Sequence, residues 1–158
     1  MGHNDAVRPG SAADKGRDRG VLPGVGNETV VVDKTTGGTG TETVYTFGHY
    51  LRRMIADVRQ RKAIPILSGM VPLMVWTNGQ LQTTWSFTEW TRQTAASEFV
   101  GFIDHTKYSV KRFQALGQNM SMSLFPLDHT HTNARGALRE YLPIQLRYEE
   151  LRKKTDGW

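Results

Sequence analysis

Cysteine is absent from this chain of 158 residues, which excludes a disulfide framework, a thiolate nucleophile and every thiolate-ligated metal site. No apolar run approaches the roughly eighteen residues that a membrane-spanning helix needs, so no membrane partner is expected. The polar start Met1-Gly2-His3-Asn4-Asp5 has no apolar stretch of the kind a secretory signal requires. Aromatic residues are sparse at 9%, and 38% apolar with 22% charged residues is the composition of a globular chain rather than a fibrous or disordered one. The length suits one domain with a sizeable core.

Charge is what the chain has in excess, at a formal +5. The surplus is diffuse. Residues 1–43 carry five bases, Arg8, Lys15, Arg17, Arg19 and Lys34, against six acids. The surplus therefore lies in the rest of the chain, notably Arg52, Arg53, Arg59, Arg61, Lys62, Arg152, Lys153 and Lys154, all within helical patterns where solvated charge is the ordinary explanation. No nucleic-acid-binding motif accompanies them, so no nucleic-acid partner is expected.

From Ala6 to Thr43 the chain is rich in Gly, Asp, Thr and Ser and has almost no apolar periodicity apart from Val30-Val31-Val32, which reads as one long loop. Val44, Phe47, Leu51, Ile55 and Val58 then recur at helical spacing and predict an amphipathic helix over about 43–61. Ala63 to Ser68 is an apolar run of strand length, with Pro65 an awkward member. Ser86-Phe87-Thr88-Glu89 has the form of a capping box that opens a helix to about Glu98. Phe99 to Asp104 is a second strand-like run, and Tyr108, Val110, Phe113 and Leu116 predict a helix closed by Gly117. A last helical pattern starts near Thr132, is interrupted at Pro143 and ends in a basic tail. The alternation predicts an α/β domain with a parallel sheet, yet two strands are too few to cover such helices.

The densest polar cluster is Asp128-His129-Thr130-His131. Three readings fit it. Asp128 can accept from one nitrogen of His131 and leave the other to act as a general base on a hydroxyl. Asp128, His129 and His131 can ligate zinc, although no further ligand stands at a familiar spacing. The histidines can also simply cap a helix or fill a polar pocket. A second cluster, Gly2-His3-Asn4-Asp5, reads by itself as a chain terminus.

Together the two clusters resemble the third and last blocks of the SGNH (GDSL-type) hydrolases. The resemblance is closer still to the rhamnogalacturonan acetylesterase branch. Gly38-Thr39-Gly40 with Glu42-Thr43-Val44, Ile66-Leu67-Ser68, Phe102-Ile103-Asp104-His105 with Tyr108, Leu116-Gly117, and Phe125 through Thr132 follow that family's order, over about residues 2–142. The resemblance implies a flavodoxin-like three-layer α/β/α sandwich with a parallel sheet. It implies a secreted carboxylic ester hydrolase, monomeric when complete, that removes acetyl groups from a pectic polysaccharide without a metal or other cofactor. In such enzymes a serine attacks the ester, the histidine matching His131 takes its proton, the aspartate matching Asp128 orients that imidazole, and the asparagine matching Asn4 donates to the oxyanion.

The serine and glycine blocks of that family precede the asparagine block, and neither stands in this sequence. Ser11, Ser68, Ser86, Ser97, Ser109, Ser121 and Ser123 lie outside any nucleophile-turn context. The expectation is therefore a partial hydrolase domain over 1–142, truncated before its first strands, with a charged tail over 143–158. Such a chain would be inactive by itself and poorly soluble. The alternative is a non-catalytic carbohydrate-binding or interaction fragment, in which Trp76, Trp85 and Trp90 supply stacking faces for sugar rings.

Overall fold

A computed structural model describes residues 3, 5–16, 20–34, 36, 38–138, 145, 148 and 149. Asn4, Pro143 and the basic residues 152–154 lie outside the described residues. The elements in chain order are β1 (Thr29–Asp33), β2 (Thr41–Tyr45), α1 (Phe47–Gln60), β3 (Ile66–Ser68), β4 (Trp76–Thr77), β5 (Gln80–Leu81), α2 (Ser86–Ser97), β6 (Gly101–Ile103), α3 (His105–Leu116) and α4 (Gln118–Met122). Residues 134–138 are also helical.

The segment read as one long loop contains a hairpin. β1 and β2 pair antiparallel with Thr29 opposite Tyr45 and Asp33 opposite Thr41, in keeping with the β-branched run at Val30-Val31-Val32. Val44 therefore belongs to β2 and not to the following helix. Its spacing from Phe47 misleads because both side chains, buried on either side of the cap, face the same core. Thr46 ends the strand and caps α1, its hydroxyl accepting from the His49 amide at 3.2 Å and donating to Gly26 O at 2.6 Å. Phe47, Leu51 and Ile55 then form the buried stripe of α1.

Residues 20–27, rich in glycine, are laced onto the start of α1. Leu22 N donates to Tyr45 O and Phe47 N to Leu22 O, while the Arg52 guanidinium donates to Val25 O, Gly26 O and Asn27 Oδ1. Gly48 is required there: a Cβ would come within 2.7 Å of Val25 Cα. The Asp14 carboxylate, only 3% exposed, gathers the backbone of this early segment by accepting from Gly10 N at 3.1 Å and Gly20 N at 2.9 Å.

The parallel pair is β3 with β6, in register from Ile66 opposite Gly101 to Ser68 opposite Ile103. β3 starts one residue after Pro65, whose missing amide keeps it out of the ladder. α2 packs on both strands and against α1, where Phe47, Phe87 and Trp90 meet edge to face or tilted at centroid distances of 4.8–6.3 Å. Arg59 ties the ends of the two helices by donating to Glu98 O at 2.6 Å. A separate apolar cluster of Met74, Leu81, Val110, Phe113, Leu124 and Phe125 joins the β4–β5 hairpin to α3 and α4.

These elements make an α/β fold with a short parallel sheet, its described strands gathered as three separate pairs. Two local expectations change. The residue before α2 is Trp85, extended at φ −141° and ψ 121°, so Ser86 is already helical and its hydroxyl makes no capping bond. Glu89 instead pairs with Arg92 at 2.6 Å and accepts from Gln93 at 2.8 Å. The unforeseen cap is Asp104 on α3, accepting from Lys107 N at 3.0 Å, while Gly117 closes that helix with φ 79°.

Candidate active site

The site forms where the chain leaves the carboxyl ends of β3 and β6, the usual place for ligands in open α/β sheets. Immediately after β3, the backbone of Met70 is held by two threonines. Met70 N donates to Thr88 Oγ1 at 3.3 Å, Thr88 Oγ1 lies 2.6 Å from Thr106 Oγ1, and Thr106 Oγ1 donates to Met70 O. Because the Thr106 proton is committed to Met70 O, the Thr88 hydroxyl must donate to Thr106. The four groups form a closed ring with every donor used. Gly69 fits beneath it, since a Cβ there would lie 2.9 Å from Thr106 Oγ1.

The segment from Val71 to Met74, fixed in this way at its start, is clamped by a histidine at each end. His3 Nε2 donates to Val71 O at 2.8 Å. His129 O accepts from Met74 N at 2.9 Å, and its Nδ1 lies 3.3 Å from Met74 O. Chain regions almost 130 residues apart in sequence thereby meet along one four-residue strap. Burial holds His3 below its ordinary pKa, opposed by the bond to Val71 O and reinforced by the nearby His131.

The loop that carries the Asp-His cluster is pinched shut at its base. Asn133 N donates to Leu124 O at 2.8 Å, and Asn133 Oδ1 caps the helical turn 134–138 by accepting from Gly136 N at 2.9 Å. At the tip, Asp128 Oδ1 accepts from the amides of Thr130 and His131, each at 2.7 Å, while Oδ2 lies 2.7 Å from His131 Nδ1. These three bonds, the imidazole's first, pull the Asp128 pKa down to about 2. The carboxylate is thus ionised and fixes the imidazole with its proton on Nδ1. His131 is 78% exposed, and no hydrogen bond occupies its Nε2 among the described residues.

The structure thus brings Asp128 and His131 together and sets His3, the neighbour of Asn4, beside them. His129 has a backbone-clamping position instead. Among the described residues no group of three His, Asp or Glu side chains is arranged to hold a metal, and no serine hydroxyl is bonded to His131. Ser121 and Ser123 donate to Phe113 O and Met120 O, Ser97 to Thr94 O, and Ser68 to Gly69 O. Sequence reasoning missed His3, Thr88 and Thr106. The threonines gave only a weak signal, polar residues on otherwise inward-facing helix positions, and His3 stood inside a motif read for its asparagine.

Two clefts of about 700 Å³ each flank the start of α2. One is lined by His3, Met70, Leu73 and Phe87; the other lies between α2 and α3; Thr84, Trp85, Ser86 and Trp90 belong to both. No helix among the described residues is long and apolar enough to cross a membrane.

No family model matches the chain. Its sequence is 32% identical over 138 residues to a rhamnogalacturonan acetylesterase of Emericella nidulans, in a match that takes in 87% of this chain and 54% of that protein. The chain thus spans about half the length of the curated relative it matches, and what it shares with that acetylesterase supports a relationship to the SGNH-type esterases.

Proposed function

We propose that this chain carries the acid–base portion of a serine-type carbohydrate acetylesterase, built on a three-layer α/β/α sandwich, acting outside the cell on acetylated pectic polysaccharide. The observation that carries the reading is the 2.7 Å contact between His131 Nδ1 and Asp128 Oδ2, with Nε2 left open. A serine hydroxyl attacks the acetyl carbonyl and passes its proton to Nε2 of His131. The ionised Asp128 stabilises the imidazolium that results. The Asn4 side-chain amide donates to the oxyanion, where charge appears only in the tetrahedral intermediate. His131 returns the proton to the departing sugar oxygen, and water then repeats the sequence to release acetate.

The nucleophile is not among the described residues bonded to His131, so we further propose that this chain alone does not turn over esters. A chimaera tests the reading: the portion of the Emericella nidulans relative that precedes the matched region is joined to this chain. Acetate release from acetylated rhamnogalacturonan that is lost in His131→Ala and Asp128→Ala is the expected result. A folded chimaera that releases no acetate would overturn the proposal. The second reading, a carbohydrate-binding module without turnover, is favoured by the clefts walled by Trp85 and Trp90. It predicts sugar binding by a chain whose chimaera stays inert.

A further inference from the structure

The cleft between α2 and α3 is unused by this chemistry. Lys107 and Lys111 line it from α3, one turn apart and therefore on one face of the helix. Both are exposed, and neither has an ion-pair partner among the described residues. Arg92 is held by both carboxylate oxygens of Glu89, at 3.0 and 2.6 Å, and Asp104, which accepts from the Lys107 amide, leaves the rim one positive charge in excess. Two ammonium groups thus share the cleft with two indoles, Trp85 and Trp90. Both indoles are partly exposed, so their rings rather than the buried Trp85 nitrogen are what the cleft presents.

Each feature selects a chemical property. Indole faces stack on the C–H face of a sugar ring, and an ammonium pair at this spacing takes a carboxylate. A nucleic-acid strand would call for a track of cations along a groove rather than a single pair. We propose that this cleft is a binding subsite for an acidic sugar, its uronate carboxylate held by Lys107 and Lys111 and its ring against the Trp85–Trp90 wall. The proposal rests on the reading of the ligand as a pectic chain. It adds a place for that chain, separated by the shared Trp85–Trp90 wall from the cleft that His3 lines.

The test is an amide and indole NMR titration of the full chain with tri-galacturonate and, separately, with its fully methyl-esterified form. Neither carries an acetyl group, so the readout is independent of turnover. The acid form is expected to shift the Trp85 indole and the α3 amides and to bind at least about fivefold more tightly than the ester. Lys107→Gln combined with Lys111→Gln should erase that preference while leaving the melting temperature unchanged, because both side chains are exposed. Equal affinity for the two forms, shifts confined to other surfaces, an unaltered preference in the double variant, or no binding would each overturn the proposal. Repeating the titration on His131→Ala separates the two ideas. A chimaera that fails to release acetate leaves this binding intact, and loss of the carboxylate preference leaves the esterase reading standing.

Discussion

Asp14 and Asp128 both gather backbone amides in irregular chain, and they end in opposite situations. Asp14 spends an oxygen each on Gly10 and Gly20 and is 3% exposed, so its charge holds those two backbone positions together. Asp128 spends one oxygen on two amides, keeps the other for an imidazole, and is 44% exposed. A carboxylate becomes chemically useful when a local turn satisfies half of it and leaves the rest directed at a titratable partner. Burial would have made the same group a structural post.

The largest expected effect is on the buried member. Asp14→Ala strands two amides and should destabilise the chain by about 3 kcal/mol in urea unfolding, since the amides lose a charged acceptor in a water-poor setting. Asp128→Ala should lower the urea midpoint far less than Asp14→Ala while abolishing the downfield Nδ1 proton resonance of His131. Equal destabilisation by the two variants would break the comparison.

A smaller loss, about 2 kcal/mol, is expected for Thr106→Val, which opens the hydroxyl ring and leaves Met70 O without a donor. Thr106→Ser should recover most of it. A Val variant as stable as the parent would show that the ring is geometrically present but energetically idle.

Acid titration sharpens the contrast further. His105 is half-buried, its Nε2 covered and without a partner among the described residues, and desolvation lowers its pKa to about 4 from 6.5. Between those values the unfolded chain holds a proton that the native chain refuses. Stability should therefore fall as the pH drops from 6.5 to about 4, by on the order of 2 kcal/mol after allowance for partial exposure. His105→Phe should flatten that slope. For Asp128 the folded pKa is also depressed, so its contribution is present above the unfolded value of 3.8 and disappears as the pH falls toward about 2. Order in the 128–131 loop, followed by the His131 resonances, should outlast the His105 transition; simultaneous loss of both would show that the order of the loop depends on His105.

The smallest effect has the opposite sign. Phe99 is 94% exposed and sits at φ 53°, a left-handed conformation that suits a bulky residue poorly. Phe99→Asn should stabilise the chain by about 0.5 kcal/mol and reduce self-association. A lower melting temperature would indicate that the ring has a packing partner.

Much of this was legible in advance, and its limits have identifiable causes. The Phe47-Leu51-Ile55 stripe announced α1, and the apolar runs around Ile66-Ser68 and Gly101-Ile103 announced the parallel pair. The Asp128–His131 spacing already permitted the contact observed. The β1–β2 hairpin escaped notice because its alternation lies in a run of threonines, valines and acids only partly buried. Ser86 and Glu89 matched a capping box, yet helix α2 starts one residue earlier, where Trp85 alone is extended. Nothing in the order of residues marked His129 as a backbone clamp.

The sequence by itself determined what is local: amphipathic periodicity, the caps at Thr46 and Asp104, and the turn by which Asp128 reaches His131 three residues on. These depend on interactions within a few residues, where the backbone fixes the reach of each side chain. Tertiary structure alone decided which irregular segments meet. His3 on Val71, His129 on Met74 and Thr88 with Thr106 around Met70 join residues from 18 to 68 positions apart. Contacts of that range close large loops, and their choice follows from how the helices and strands pack rather than from any local preference.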